Sequence, residues 1–273
     1  MQTLDEAQAR AAAAYNAAAD FYDNAANSFW DRFGRSTVAR LELKPGERVL
    51  DVCCGTGASA IPAAQTVGAT GSVLGIDLAQ GLLQVARHKA DQHVLRNIEF
   101  RVGDMLDTKL PTAGFDAVVC VFGIFFVPDM AAAVRNLWRA VSPGGRLAIT
   151  TWGPHLFEPA NSVFWDAIRK VAPELHKTFN PWDRISDPGA LRELLAQAGV
   201  EHSAATAEAG EHPIASPEAW WATVLGSGYR GTLEKLDPTA VEQVRVENFR
   251  VLREREVRAV QANVVYAVAE KPS

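Results

Sequence analysis

The chain of 273 residues has little cysteine, no excess of positive charge and no long apolar run. Three cysteines, Cys53, Cys54 and Cys120, are odd in number and too few for a disulfide framework, and they suit a reducing compartment. Neighbouring cysteines point in opposite directions and do not match zinc spacing, and none of the 6 His forms a metal-like pair, so no metal is expected. The three thiols read as small apolar core residues. With 27 Lys+Arg against 32 Asp+Glu, the formal net charge is -5, and acids and bases interleave, as from Arg250 to Arg258. Duplex binding needs clustered positive charge, so nucleic acid is not an expected partner. No run of about 18 apolar residues exists to span a membrane. The opening Met1-Gln2-Thr3-Leu4-Asp5-Glu6 lacks the basic start and apolar stretch of a signal peptide. The expected location is the cytoplasm.

What is present is ordinary globular composition, 48% hydrophobic and 22% charged, in a length that fits one large α/β domain with a modest cap. Residues 5–19 are alanine-rich and favour helix, and residues 21–33 carry Phe21, Tyr22, Phe29, Trp30 and Phe33. After the Pro45-Gly46 turn, β-rich runs alternate with helix-length segments. Strands are expected at 48–52, 72–76, 98–102, 115–121 and 146–151, with helices at 57–67, 79–95 and 129–140. This rhythm implies parallel βαβ units in a doubly wound sheet. Beyond Trp152 the rhythm breaks into a Pro- and aromatic-rich stretch over 153–186, a helix over 188–198 and further helices over 216–256. The run from Arg258 to Glu270 reads as a last strand.

The chemistry is concentrated at two strand ends. In Asp51-Val52-Cys53-Cys54-Gly55-Thr56-Gly57 a strand runs into a helix through small residues, which let a ligand approach the backbone and the free N–H groups of the helix start. The second strand ends at Asp77, where a carboxylate can accept from both hydroxyls of a ribose. The pair points to a nucleoside cofactor. Gly55-Thr56-Gly57-Ala58-Ser59-Ala60 also fits a loose dinucleotide fingerprint, so on these two features a nicotinamide dehydrogenase and a methyltransferase stand level.

The third strand is followed by Gly103-Asp104-Met105, where an acid can accept from the amine of adenine and Met105 can pack on the ring. With Phe115-Asp116-Ala117-Val118-Val119-Cys120 and Ser142-Pro143-Gly144-Gly145-Arg146-Leu147, this ordered set over about residues 47–152 resembles the class I S-adenosylmethionine-dependent methyltransferases. The stretch Phe122 to Asp129 and the Thr151-Trp152-Gly153 exit are most similar to the ubiquinone/menaquinone-biosynthesis (UbiE-like) small-molecule methyltransferases. The resemblance implies a Rossmann-like, seven-stranded, mostly parallel sheet with a helical, aromatic-rich cap. It implies S-adenosyl-L-methionine as cofactor, S-adenosyl-L-homocysteine as product and a small-molecule acceptor. Asp51, Gly55 and Gly57 would shape the methionine end with Thr56, and Asp77 would hold the ribose beside Leu78. Gly103, Asp104 and Met105 would frame the adenine, and Cys120 and Val121 would lie beside the sulfonium. Cys53 departs from the glycine or alanine often found at its place.

Residues 1–35 are expected as a helical lid with Tyr22 and Trp30 over the cofactor, and 36–152 as the cofactor-binding core. Residues 153–257 are expected as a cap that includes a core helix and strand, and 258–273 as the last strand and tail. Five of the 7 Trp lie from Trp152 onward, so some of them are expected to face the acceptor. Asp183 and Arg184 are polar candidates there. His155, just past the fifth strand, is the candidate general base. Methyl transfer from a sulfonium releases a neutral thioether, so no acid is required. Two readings stand beside transfer to an oxygen, nitrogen or carbon of an aromatic or quinone-like acceptor: an NAD(P)-dependent oxidoreductase, and a non-catalytic S-adenosylmethionine-binding protein. The Asn/Asp-Pro-Pro-aromatic signature of nucleic-acid and amide methyltransferases is absent, the chain reading Cys120-Val121-Phe122-Gly123 after the fourth strand. A homodimer is left open.

Overall fold

Alternating apolar runs become the parallel part of one sheet. The computed structural model describes residues 6–106 and 110–273, so residues 1–5 of the expected lid lie outside the described residues. In it β1 (Arg48–Val52), β2 (Ser72–Asp77), β3 (Ile98–Val102), β4 (Phe115–Val121) and β5 (Val141–Trp152) pair in parallel. The sheet has seven strands in the order β3-β2-β1-β4-β5-β9-β6, with β6 (Ser203–Glu208) and β9 (Val264–Glu270) at one side. β9 runs antiparallel to both β5 and β6. Val49, Leu50, Val52 and Ala117 to Cys120 are fully buried, as strands covered on both faces must be. Chain order reverses between β1 and β4, and the crevice at such a switch point is where open α/β sheets bind ligands.

Helices cover both faces. One layer uses α2 (Phe29–Arg40), α3 (Ala60–Val67) and α4 (Gln80–Gln92), whose Val38, Ala64, Leu83 and Ala86 pack on Val49, Val73 and Val119. The other uses α5 (Met130–Ala140) and α7 (Pro188–Gln197), whose Leu137 and Leu191 pack toward Leu50, Val118 and Ile149, while α6 (Ala160–Val171) packs within the cap. The cap is completed by α8 (Pro217–Leu225), α9 (Arg230–Leu233) and α10 (Pro238–Glu254). Three helix starts share one device. Asp187, Ser216 and Asp237 accept from backbone N–H groups of the first turn, each followed by proline at the first helical position. α1 (Glu6–Tyr22) lies against α4 and α9.

Four boundaries differ from the sequence reading. α2 runs through residue 35, with Phe29, Trp30 and Phe33 in the core, so the expected division at 35 cuts a core helix. α3 begins at Ala60, because Gly57 at φ 86 still belongs to the turn. The Pro143-Gly144-Gly145 turn is a bulge inside β5: Val141 already pairs with Phe115, and the register shifts before Ala117 meets Arg146. The closing strand is divided. β8 (Ala259–Gln261) pairs with β7 (Glu211–Pro213) in a separate ribbon. Asn263, which donates to the Pro154 carbonyl at 2.9 Å, stands between β8 and β9.

Candidate active site

The carboxyl ends of β1, β2, β3 and β4 and the inner face of α1 border a cleft. Its floor is set by sharp turns at two strand ends. Cys53 after β1 and Phe122 after β4 take φ 54 and φ 53, a region that costs a side-chain-bearing residue energy and is found mostly where surrounding structure enforces it. Gly55 at φ 53 follows, and a Cβ there would lie 3.3 Å from the Tyr22 hydroxyl. Gly123 is glycine because a Cβ would meet Cys53 at 2.5 Å and the Cys120 sulfur at 3.1 Å.

Asp77 binds the loops together. One carboxylate oxygen accepts the Gly55 N–H at 2.9 Å and the other the Ala79 N–H at 2.8 Å. Each oxygen keeps a lone pair for a further donor. Burial raises its pKa, while the backbone N–H groups pull it down. Across the cleft, Asp104 accepts from the Leu106 N–H at 2.9 Å and from Gln8 Nε2 of α1 at 2.9 Å. Asn16 of α1 accepts the Gly81 N–H at the start of α4 at 2.8 Å. These two bonds fasten the helix along its length over the cleft.

The structure brings together Tyr22, Trp30, Cys53, Gly55, Asp77, Leu78, Gly103, Asp104, Met105 and Val121 as cleft lining. Others from the sequence reading lie behind that surface. Asp51 is fully buried beneath the glycine loop and accepts from Ser59 Oγ at 2.6 Å. Burial, the largest cause, and the nearby Asp77 push its carboxyl up to about 7 against the Ser59 hydrogen bond. Thr56, also fully buried, donates to Asp23 at 2.7 Å, and Asp23 pairs with Lys89 of α4 at 2.9 Å. Gly57 packs on Ile61, and Cys120 sits under Cys53. A hydrogen bond with Cys120, then burial, raises the Cys53 thiol well above its ordinary range. His155 stands exposed on a turn beyond β5 and does not reach the cleft.

The late tryptophans also face elsewhere. Trp220 donates to Asn248 at 3.0 Å and packs with Phe157 and Tyr229 inside the cap. Trp152 stacks under Phe122 at 3.7 Å, and neither Trp165, Trp182 nor Trp221 lines the cleft. Asp183 closes a local cap on Asn180, while Arg184 lies over Phe179 and in a separate surface groove. The rings that do face the cleft are Tyr15, Tyr22, Trp30, Phe122 and Phe126. Gln8, Ala11, Ala12 and Tyr15 also line it, and the sequence reading does not single them out. They form with Tyr22 one stripe at helical spacing, which an alanine-rich helix hides because alanine contrasts weakly with either face. The small alanines leave the space that the tyrosines border.

A doubly wound sheet, a glycine turn after β1 and acids after β2 and β3 define a nucleoside-binding enzyme of the Rossmann-like type. The methyltransferase-domain family matches residues 49–145. Aklanonic acid methyltransferase DauC of Streptomyces sp. is 38% identical over 138 residues, covering 50% of this chain and 63% of that relative. Demethylmenaquinone methyltransferase of Listeria monocytogenes is 35% identical over 184 residues, covering 63% of this chain and 77% of that relative. The crystal structure of the YcgJ protein from Bacillus subtilis shares the fold, with a TM-score of 0.56 at 16% identity over 89% of this chain and 99% of that one. The chain belongs to the class I S-adenosylmethionine-dependent methyltransferases, in their UbiE-like group. Among the described residues no helix is long and apolar enough to cross a membrane.

Proposed function

We propose that this protein moves a methyl group from S-adenosylmethionine to an oxygen, nitrogen or carbon of a small aromatic or quinone-like acceptor. The observation that carries the proposal is the division of one cleft into a polar nucleoside end and an apolar end. Asp77 and Asp104 stand at the first, and Val121, Phe122, Phe126 and Val127 at the second. The residues fit the cofactor. The free lone pairs of Asp77 suit two ribose hydroxyls, Asp104 suits the adenine amine, and Leu78 and Met105 offer apolar faces for the ring. Gly55 leaves room for the methionine portion that any Cβ would take against Tyr22.

The bound cofactor supplies an electrophilic methyl carbon on a sulfonium. The chain's part is alignment and exclusion of water. Holding two reactants in line supplies up to about 7–11 kcal/mol of a barrier in ideal cases. The rigid strand ends and the fastened α1 suit that task, with α1 acting as lid. Burial raises the Tyr15 and Tyr22 phenols, and the Cys53 thiol is raised as well, so these groups keep their protons at neutral pH. None of them suits the role of base, and no histidine lines the cleft among the described residues. An acceptor that arrives with a ready lone pair or an acidic phenol or enol matches such a site. The names of the relatives, which speak of aklanonic acid and demethylmenaquinone, support the same acceptor class.

Calorimetric titration with S-adenosylhomocysteine, with NAD(H) and NADP(H) run in parallel, tests the cofactor. Saturable binding of S-adenosylhomocysteine alone is expected. Binding of a nicotinamide cofactor in its place would sink the proposal. An acceptor screen read by mass spectrometry then looks for a product heavier by one methylene.

A further inference from the structure

Phe122 combines a strained backbone with a place in the cleft wall. It follows β4 in the left-handed region at φ 53, which is costly for a residue that carries a Cβ. It also lines the apolar end of the cleft. β5 holds it there, because the Phe122 N–H donates to the Thr150 carbonyl at 2.8 Å. Two residues further along β5, Trp152 is 3% exposed and lies flat against the Phe122 ring, with centroids 3.7 Å apart and planes 9° from parallel. Trp152 is fixed in turn by its pairing with Val264 of β9. Trp30 and Phe33 meet the Phe122 ring at 65° and 82°, so among the described residues Trp152 alone is stacked on it. The ring is thus backed on one face and gripped by steeply inclined neighbours, and it borders open space in the cleft.

Such a floor distinguishes between apolar ligands that area alone does not. A saturated ring system offers as much apolar surface as an aromatic one of the same skeleton, and its burial is worth as much. Offset stacking adds a further gain only when two flat faces lie parallel and close. A stack built before the ligand arrives needs no ordering when it binds. A flat ligand resting on it is also held in one plane, which serves the alignment that methyl transfer requires.

Resting on the acceptor reading above, we infer that Phe122 is the platform on which the acceptor lies, with its ring plane against the cleft side of the Phe122 ring and Trp152 as the positioning residue behind it. The acceptor class narrows to planar aromatic or quinone compounds, and puckered alicyclic acceptors of the same size are selected against. The strained turn after β4 is then part of acceptor recognition, since it sets the ring at the cleft surface.

The test compares 2-naphthol with decahydro-2-naphthol by calorimetry on the full chain with S-adenosylhomocysteine bound. The two alcohols share one carbon skeleton and differ in ring saturation. The unaltered protein is expected to bind 2-naphthol more tightly by roughly threefold or more. Phe122→Leu keeps apolar bulk, and it is expected to weaken 2-naphthol by about three- to tenfold and the saturated alcohol by less than about twofold. Phe122→Tyr keeps the ring and is expected to retain the preference. In the unaltered chain with labelled phenylalanine, 2-naphthol should move the Phe122 ring-proton signals upfield, a readout that stands even if Phe122→Leu does not fold. Equal affinities of the unaltered protein for both alcohols, equal losses for both in Phe122→Leu, or unmoved Phe122 signals would overturn the inference. Failure of the unaltered protein to bind either alcohol while it still binds S-adenosylhomocysteine would instead remove the acceptor reading on which it rests.

Discussion

Replacing Asp77 with alanine probes the centre of the proposed site. The change removes the acceptor of the Gly55 N–H at 2.9 Å and of the Ala79 N–H at 2.8 Å. It also removes the proposed partner of two ribose hydroxyls. A hydrogen bond to a charged group contributes about 1.5–3 kcal/mol. Two of them, discounted for water filling the gap, give about 3 kcal/mol, or a rise of ~150-fold in Kd. Stability should move little. Two N–H groups lose their acceptor, but a carboxylate whose ionisation is opposed by burial is also removed. The net change should stay within about 1 kcal/mol. Asp77→Asn keeps one accepting oxygen and should fall between, at about tenfold. Calorimetry with S-adenosylhomocysteine at fixed ionic strength reads the affinity, and thermal unfolding confirms that each variant is folded. A folded Asp77→Ala protein with a Kd within roughly threefold of the unaltered one would refute the assignment of this carboxylate to the ribose.

Three further outcomes follow from the same packing. The Asp51 carboxyl is raised from 3.8 to about 7, so its contribution to stability is complete below the unfolded value and is lost as pH rises through 7, at most about 4 kcal/mol. Denaturant unfolding at pH 5 and pH 8 should show this loss in the unaltered protein and not in Asp51→Asn, and parallel pH slopes for the two would contradict it. Gly34→Ala drives a Cβ from α2 into the backbone of Ala58 and Ser59, which should destabilise the protein by about 1–3 kcal/mol. An unchanged unfolding midpoint would show that α2 has room to shift. Because Gln8 and Asn16 tie α1 across the cleft, amides of α1 should exchange more slowly once S-adenosylhomocysteine is bound. Equal exchange with and without ligand would deny α1 its role as cover.

Much of the site is legible in the sequence because its signals are local. Alternation over five residues marks a strand, a small-residue turn marks where it ends, and an acid at the next strand end falls beside that turn whenever the strands are parallel neighbours. Gly55 and Asp77 are 22 residues apart and still meet, because β1 and β2 lie side by side in register. The same local reading does not tell which residues of the glycine loop face the ligand. Asp51 and Thr56 are part of the motif, yet they turn inward to Ser59 and Asp23 and support the loop from beneath.

The cap departs from expectation for a related reason. Tryptophan supplies a large apolar surface to whichever core it enters. Five tryptophans from Trp152 onward make an aromatic-rich stretch in the sequence, but composition does not say what the rings pack on. Trp220 packs against Phe157 and Tyr229, and Trp165 against Phe164, so these rings fill the interior of the cap and leave the cleft to others.

The amino-acid sequence by itself determined the parallel strands, their order of chemistry and the acids at their ends, since period, turn residues and helix caps act within a few residues of one another. The tertiary structure alone decided that the alanine-rich α1 closes the cleft and that His155 is turned away. Those facts depend on contacts such as Gln8 to Asp104, 96 residues apart, and no local pattern encodes which distant surface a helix face will cover.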